Sequence, residues 1–260
     1  MEFYIKIYEI IFSPTGGTKK VADTIASEMS QKTNSNIEKV DLTDYSMDFS
    51  SIKISQDDIA VIAVPSYAGR VPETASKRIS QIKGNGANTV IVSVYGNRDY
   101  EDTLIELYDI AKELNFKVTS AIAAIAKHSI AYKYASNRPD ENDIAKLKEF
   151  AGNIINAFEV LDENKLKGNR PYRQISKVSL VPKTTNKCND CKLCAKKCPV
   201  QAIDINNPKI IDKNKCIFCM RCVSICNSSA KNISKIMLTL VHFALRKSCS
   251  KAKDYEFYIN

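Results

Sequence analysis

No apolar run in the 260 residues approaches the roughly 20 that a membrane helix needs. The best candidate, Ile236 to Leu245, is about half that length and contains His242. No basic segment with an apolar stretch and a small-residue cleavage site opens the chain. From Phe3 it reads FYIKIYEIIF, strand-like and broken by Lys6 and Glu9. A cytoplasmic setting is therefore expected. Two phosphate-loop patterns are also missing. There is neither G-x-x-x-x-G-K-[ST] nor G-x-G-x-x-G, so neither a P-loop NTPase nor a Rossmann NAD site is indicated. No residue pattern marks a nicotinamide or substrate pocket. Cysteine is absent from the first 187 residues, and all nine cysteines lie beyond them. In a reducing compartment such clustered thiols read as ligands rather than disulfides.

What is present is the composition of an ordinary globular protein, 44% hydrophobic and 26% charged, long enough for a medium and a small domain. Short apolar runs rich in Ile, Val and aromatics occur at Phe3–Phe12, Ile37–Leu42, Asp58–Val64, Thr89–Tyr95 and Phe116–Ile125. They read as buried parallel strands. Helical spacing of apolar residues marks Lys19–Gln31, Glu73–Ile82, Glu101–Leu114 and Glu141–Leu161. Alternation of the two predicts a doubly wound α/β domain over residues 1–162, with ligands at the carboxyl ends of its strands. The stretch 43–57 reads as loop or a short helix. Residues 163–187 lose the rhythm, turn basic and read as a linker. A cysteine-rich segment, 188–235, and a helical tail, 236–260, complete the chain.

Eight cysteines form two runs of identical spacing. Cys188, Cys191, Cys194 and Cys198 recur 28 positions later as Cys216, Cys219, Cys222 and Cys226. C-x2-C-x2-C-x3-C with Pro199 behind it resembles the bacterial two-cluster ferredoxins. Three thiolates two residues apart wrap one face of a cubane, and the fourth is carried across to the other cluster. Cluster one then takes Cys188, Cys191, Cys194 and Cys226, and cluster two takes Cys216, Cys219, Cys222 and Cys198. Zinc also uses C-x2-C pairs but usually spaces them widely, which the repeat does not. Asn227 stands where that family usually has a second proline. Cys249 belongs to neither run and reads as a free tail thiol.

At the end of the first strand, SPTGGT opens the first helix. Ser13, Thr15 and Thr18 offer hydroxyls, Gly16 and Gly17 a tight turn, and the helix N-terminus a place for phosphate. The loops after strands three and four share that sheet edge. The first, PSYAGRVP from Pro65 to Pro72, offers Pro65, Ser66, Tyr67, Ala68 and Gly69; the second, YGNRDY from Tyr95 to Tyr100, offers Tyr95, Gly96, Asn97 and Tyr100. Tyr67 and Tyr100 are the candidates for stacking on a flat ring. On these three loops residues 1–162 resemble a short-chain flavodoxin, the long-chain insertion being absent from strand five. With the cysteine segment, residues 1–235 resemble the flavodoxin–ferredoxin fusion proteins of anaerobic bacteria and archaea. The resemblance implies FMN, two [4Fe–4S] clusters, an α+β ferredoxin-like second domain, and a loop histidine matched by His128.

That combination suits an electron-transfer flavoprotein serving ferredoxin-type or reductase partners. An FMN-dependent oxidoreductase acting on a small acceptor or on NAD(P)H is the alternative. Charge adds one expectation. Residues 1–162 hold 18 Lys/Arg against 23 Asp/Glu, and residues 163–260 hold 20 against 6. The basic residues Lys192, Lys196, Lys197, Lys213, Lys215 and Arg221 interleave with thiols rather than with stacking aromatics, which argues against nucleic acid. Opposite charge is expected to dock the ferredoxin half on the flavodoxin half, within one chain or between two copies.

Overall fold

The computed structural model describes residues 5–157, 159–175 and 179–260. Phe3 and Tyr4 of the first expected strand, Phe158 of the fourth expected helix, and linker residues 176–178 lie outside the described residues. The five apolar runs become β1 (Lys6–Ile11), β2 (Asn36–Asp41), β3 (Ile59–Pro65), β4 (Asn88–Tyr95) and β5 (Lys117–Ile125). They lie parallel in the order β2-β1-β3-β4-β5. This is the flavodoxin-like order, with its switch point between β1 and β3. Ile7, Ile10, Ile62, Ile91 and Ile122 are fully buried, as strands covered on both faces require.

The covering helices are α1 (Gly17–Thr33), α2 (Glu73–Ile79), α3 (Thr103–Glu113) and α4 (Glu141–Ile154). On α1 a single stripe of Val21, Ala22, Ile25, Ala26 and Met29 is buried. The helix ends where Asn34 turns left-handed at φ 52° and its N–H bonds to the Ser30 carbonyl. Asp140 and Asp143 cap α4 reciprocally. The ambiguous stretch 43–57 contains one 3-10 turn, Phe49–Ser51.

The cysteine-rich unit is built from β6 (Lys183–Thr184), α5 (Leu193–Lys196), α6 (Arg221–Ser224) and β7 (Lys231–Asn232), with β6 antiparallel to β7. Its duplication is visible in the backbone. Asp190 and Phe218, Lys192 and Met220, and Gln201 and Ser229 are pairs 28 residues apart, and all six residues have φ between 50° and 61°. The thiol of Cys198 accepts from Ala202 N–H at 3.3 Å, and that of Cys226 from Ala230 N–H at 3.2 Å, again one repeat apart.

Two expectations are corrected. The tail is helical only through α7 (Lys235–Cys249); Glu256–Tyr258 then form β8, a sixth strand antiparallel to β5. Alternation in YEFYI serves a strand, and Phe257 stacks on Phe150 at 4.0 Å. The linker, in turn, lies against α3 and the residues before it: Arg170 pairs with Asp109 of α3, Arg173 with Glu101, and Asn169 N–H donates to Asp102. Opposite charge thus fastens the linker to the first domain. Among the described residues no ion pair joins residues 183–234 to residues 5–157. No described helix is long and apolar enough to cross a membrane.

Candidate functional site

The eight thiols gather into two pockets. Cys188, Cys191, Cys194 and Cys226 line one, together with Lys192, Pro208 and Lys231. Cys198, Cys216, Cys219 and Cys222 line the other, with Pro199, Ile217 and Arg221. Each pocket therefore draws three thiols from one run and the fourth from the other, the grouping expected from the spacing. Short α5 and α6 start from left-handed residues Lys192 and Met220, which turn the chain tightly enough for neighbouring thiols to share a pocket. Burial pushes the Cys219 thiol up to about 12, with Cys198 and Cys216 adding to it. Burial and the neighbouring Cys219 do the same to Cys222, also about 12. Thiols crowded in this way ionise only beside compensating positive charge, which iron supplies. Cys226 differs: burial opposes ionisation, but the Ser228 hydroxyl and nearby backbone N–H groups bring its thiol below the usual value. The donor set and its electrostatics fit iron–sulfur clusters.

At the sheet's carboxyl edge, Gly16 sits at φ 90° and opens α1 without any side-chain cap. A Cβ on Gly16 would meet nothing within 4 Å, so the residue is there for its backbone angle and not for space. Gly17 has the opposite reason: a Cβ there would approach the Ala126 methyl at 3.1 Å. Ser13 Oγ accepts the Lys19 N–H at 2.9 Å, which leaves its own O–H proton for a ligand. Thr18 is buried in the first turn. The first-turn N–H groups of Gly17 and Thr18, with the flanking hydroxyls, form an arrangement that suits an anion.

The loop after β3 is held by Glu106, whose carboxylate accepts two bonds from the Arg70 guanidinium, at 2.7 and 2.8 Å, and one from Val71 N–H. Ala68 and Gly69 are left-handed, and a Cβ on Gly69 would collide with Glu101. Ser66 Oγ accepts from the Thr103 hydroxyl at 2.7 Å. Tyr67 packs partly buried against the core. Burial, then the nearby Cys219 thiol, raise its phenol well above the ordinary range.

The loop after β4 departs from expectation. Tyr100, expected to stack on a ring, is 2% exposed beneath β8, its hydroxyl bonded to Glu256 and Tyr258 at 2.8 Å each. Tyr95 is buried beside it. The Asn97 amide donates to the Cys249 and Lys251 carbonyls, at 2.9 Å each. This loop therefore binds the C-terminal segment. Gly96 leaves room for His128, whose ring atoms would meet an added Cβ at 2.7 Å. His128 accepts two backbone N–H bonds at Nδ1, and burial lowers its pKa to about 4, so it is neutral at pH 7. Cys249 is unpaired as expected, but it is buried against the Gly96 carbonyl rather than loose.

The two halves meet at the Ser13–Thr18 loop. Arg221, between two cluster thiols, donates Nη1–H to the Pro14 carbonyl at 3.4 Å, and its Nε–H is buried with no acceptor. Arg78 of α2 donates to the Pro199 carbonyl at 2.6 Å, and Ile217 packs on the core of the first domain. The sequence showed Arg221 only as one basic residue among many. Its position between Cys219 and Cys222 was the available signal.

Residues 187–231 match the family of 4Fe-4S dicluster domains. An uncharacterized protein of Methanocaldococcus jannaschii is 43% identical over 49 residues, 19% of either chain. This chain thus spans about a fifth of the length of the curated relative it matches. Among solved structures, flavodoxin 1 from Bacillus cereus is 18% identical, with 58% of this chain and 97% of that one covered and a TM-score of 0.41. Rubredoxin oxygen:oxidoreductase from Desulfovibrio gigas is 14% identical, covering 59% and 35%, with a TM-score of 0.39. By its strand order and its matched dicluster domain, the chain joins a flavodoxin-like domain to an iron–sulfur domain.

Proposed function

We propose that the protein is an iron–sulfur flavoprotein that passes electrons between one FMN, two [4Fe–4S] clusters and external redox proteins. The observation that carries this reading is the meeting of the anion loop, Tyr67 and the pocket of Cys198, Cys216, Cys219 and Cys222 at one interface. FMN, when bound, takes two electrons and gives them up singly, and each cluster carries one.

The chain's residues divide the work. First-turn N–H groups of α1 and the hydroxyls of Ser13, Thr15 and Thr18 hold the phosphate, with the unpaired Arg221 Nε–H facing the same interface. The Pro65–Gly69 loop, fixed by Glu106, sets Tyr67 beside the ring's position and next to Cys219. Of the expected residues in the other loop, Gly96 gives backbone access, whereas Tyr95, Asn97 and Tyr100 support the site from beneath. Cys198, Cys216, Cys219 and Cys222 hold the cluster nearer the flavin. Cys188, Cys191, Cys194 and Cys226 hold the other, and exposed Cys191 makes that pocket the port for a partner. A cytoplasmic setting keeps these thiols reduced until iron arrives.

The test is anaerobic purification followed by reductive titration. About eight iron, eight acid-labile sulfide and one FMN per chain are expected. Flavin and cluster spectra should bleach together with a ferredoxin-type donor, and NAD(P)H alone should give little saturable turnover. Bound zinc without labile sulfide would overturn the cluster assignment, and fast saturable NAD(P)H oxidation would overturn the carrier role.

A further inference from the structure

The duplicated unit is not electrically symmetric. Position 203 of the first repeat is Ile203, buried and apolar; 28 residues later the same place is Lys231, 2% exposed. The Lys231 ammonium donates to the Thr184 hydroxyl at 2.7 Å and the Pro208 carbonyl at 2.5 Å, both neutral acceptors. Among the described residues no carboxylate lies within ion-pair distance of it. A buried ammonium with only neutral partners is costly unless negative charge compensates it. The groups placed to do so are the thiols. Lys231 lines the pocket of Cys188, Cys191, Cys194 and Cys226.

Resting on the cluster reading above, we propose that Lys231 is the built-in counter-charge of the iron–sulfur unit and sets the two clusters at different reduction potentials. Each cluster gains one electron on reduction, taking its charge with four thiolates from −2 to −3 without a proton. A fixed positive charge favours the more negative state, so it raises the potential. The effect is larger where Lys231 lines the pocket. The cluster held by Cys188, Cys191, Cys194 and Cys226 is thereby the stronger acceptor, and the cluster beside the flavin interface the weaker. Ile203 supplies no such charge on the other side, and Arg221, which lines that pocket, directs its guanidinium to the Pro14 carbonyl across the interface.

The experiment is an EPR-monitored redox titration of the cluster-loaded full chain and of its Lys231→Met and Lys231→Arg variants. Iron and sulfide content are measured in parallel. In the wild type two separate one-electron steps are expected. Lys231→Met should move the higher one down by about a tenfold change in its reduction equilibrium, about 59 mV for one electron. Lys231→Arg, which keeps the charge, should stay near the wild type. A Lys231→Met protein with full iron and both potentials unmoved overturns the proposal. So does an equal shift in both variants, which would report packing and not charge. If Lys231→Met does not load, the wild type decides, because coincident potentials there refute the asymmetry. Failure of the cluster reading itself shows separately, as missing labile sulfide in the wild type.

Discussion

Replacing Arg221 by Met should weaken FMN binding and leave riboflavin binding nearly unchanged. The guanidinium reaches the Pro14 carbonyl at a long 3.4 Å, and its buried Nε–H has no acceptor at all. An unsatisfied buried donor costs about 1–3 kcal/mol, and a hydrogen bond to a charged group is worth about 1.5–3 kcal/mol. A phosphate at the Ser13–Thr18 loop that takes up this donor should recover that amount. At about 1.4 kcal/mol per decade, the loss on substitution is about 10- to 100-fold in Kd. Riboflavin lacks the phosphate and should change by no more than about 3-fold. The assay is flavin fluorescence quenching by deflavinated, cluster-loaded protein under anaerobic conditions. Cluster absorbance verifies that Cys219 and Cys222 still hold their cluster. Equal weakening of FMN and riboflavin would refute the reasoning, because it would mean that Arg221 shapes the interface without meeting phosphate.

Glu9 is fully buried under α1 with neither carboxylate oxygen hydrogen-bonded, and burial, then the Asp23 charge, raise its pKa to about 7. The folded state thus holds a proton that the unfolded state releases near 4.5, so this site costs stability as pH rises from about 4.5 to 7. Lys39 at 3.6 Å offsets part of the cost, and Glu9→Gln should stabilise the protein by about 1–3 kcal/mol at pH 8, with little gain at pH 4. Thermal unfolding at the two pH values checks this, and an equal gain at both would contradict it. Tyr100→Phe should cost about 1–3 kcal/mol and free the C-terminal segment for proteolysis, because it strips two bonds from the β8 contact. Flavin-to-cluster transfer, followed by flash reduction, should stay nearly flat from about 0.05 to 1 M salt. The interface is made of bonds to carbonyls and apolar packing rather than screened ion pairs. Steep slowing would mean that the halves separate in solution.

The parallel strands were legible because burial on both faces leaves unbroken apolar runs such as VIAV and VIV, which solvent-exposed structure rarely shows. The thiol groupings were legible for a different reason: cluster geometry dictates spacing so tightly that the chain has little choice. β8 escaped notice because three half-exposed residues near a terminus carry too short an alternation to separate from a helix end. Tyr100 was misread for a related reason. Its loop has the composition of a ring-binding loop, and only the tail, arriving from 156 to 158 residues away, shows that the phenol is taken. Charge misled in its location. The excess of Lys and Arg after residue 162 is real, but Arg170 and Arg173 of the linker make their ion pairs with Asp109 of α3 and with Glu101 just before it. Lys231 is one lysine among many in the sequence, and only its burial, opposite the apolar Ile203 of the first repeat, sets it apart.

Because β8 returns to the sheet beside β5, the iron–sulfur unit is topologically an insertion, leashed at both ends to the same sheet domain. A unit hung from a single flexible linker explores a volume, and each encounter with its target carries an orientational penalty. Held by residues 161–173 on one side and by β8 on the other, this unit has little volume left to search. On the proposed function, flavin and cluster would be neighbours before any partner arrives. Cutting the chain between α7 and β8 should therefore turn a fixed internal circuit into a swinging one, with every residue of both sites still in place.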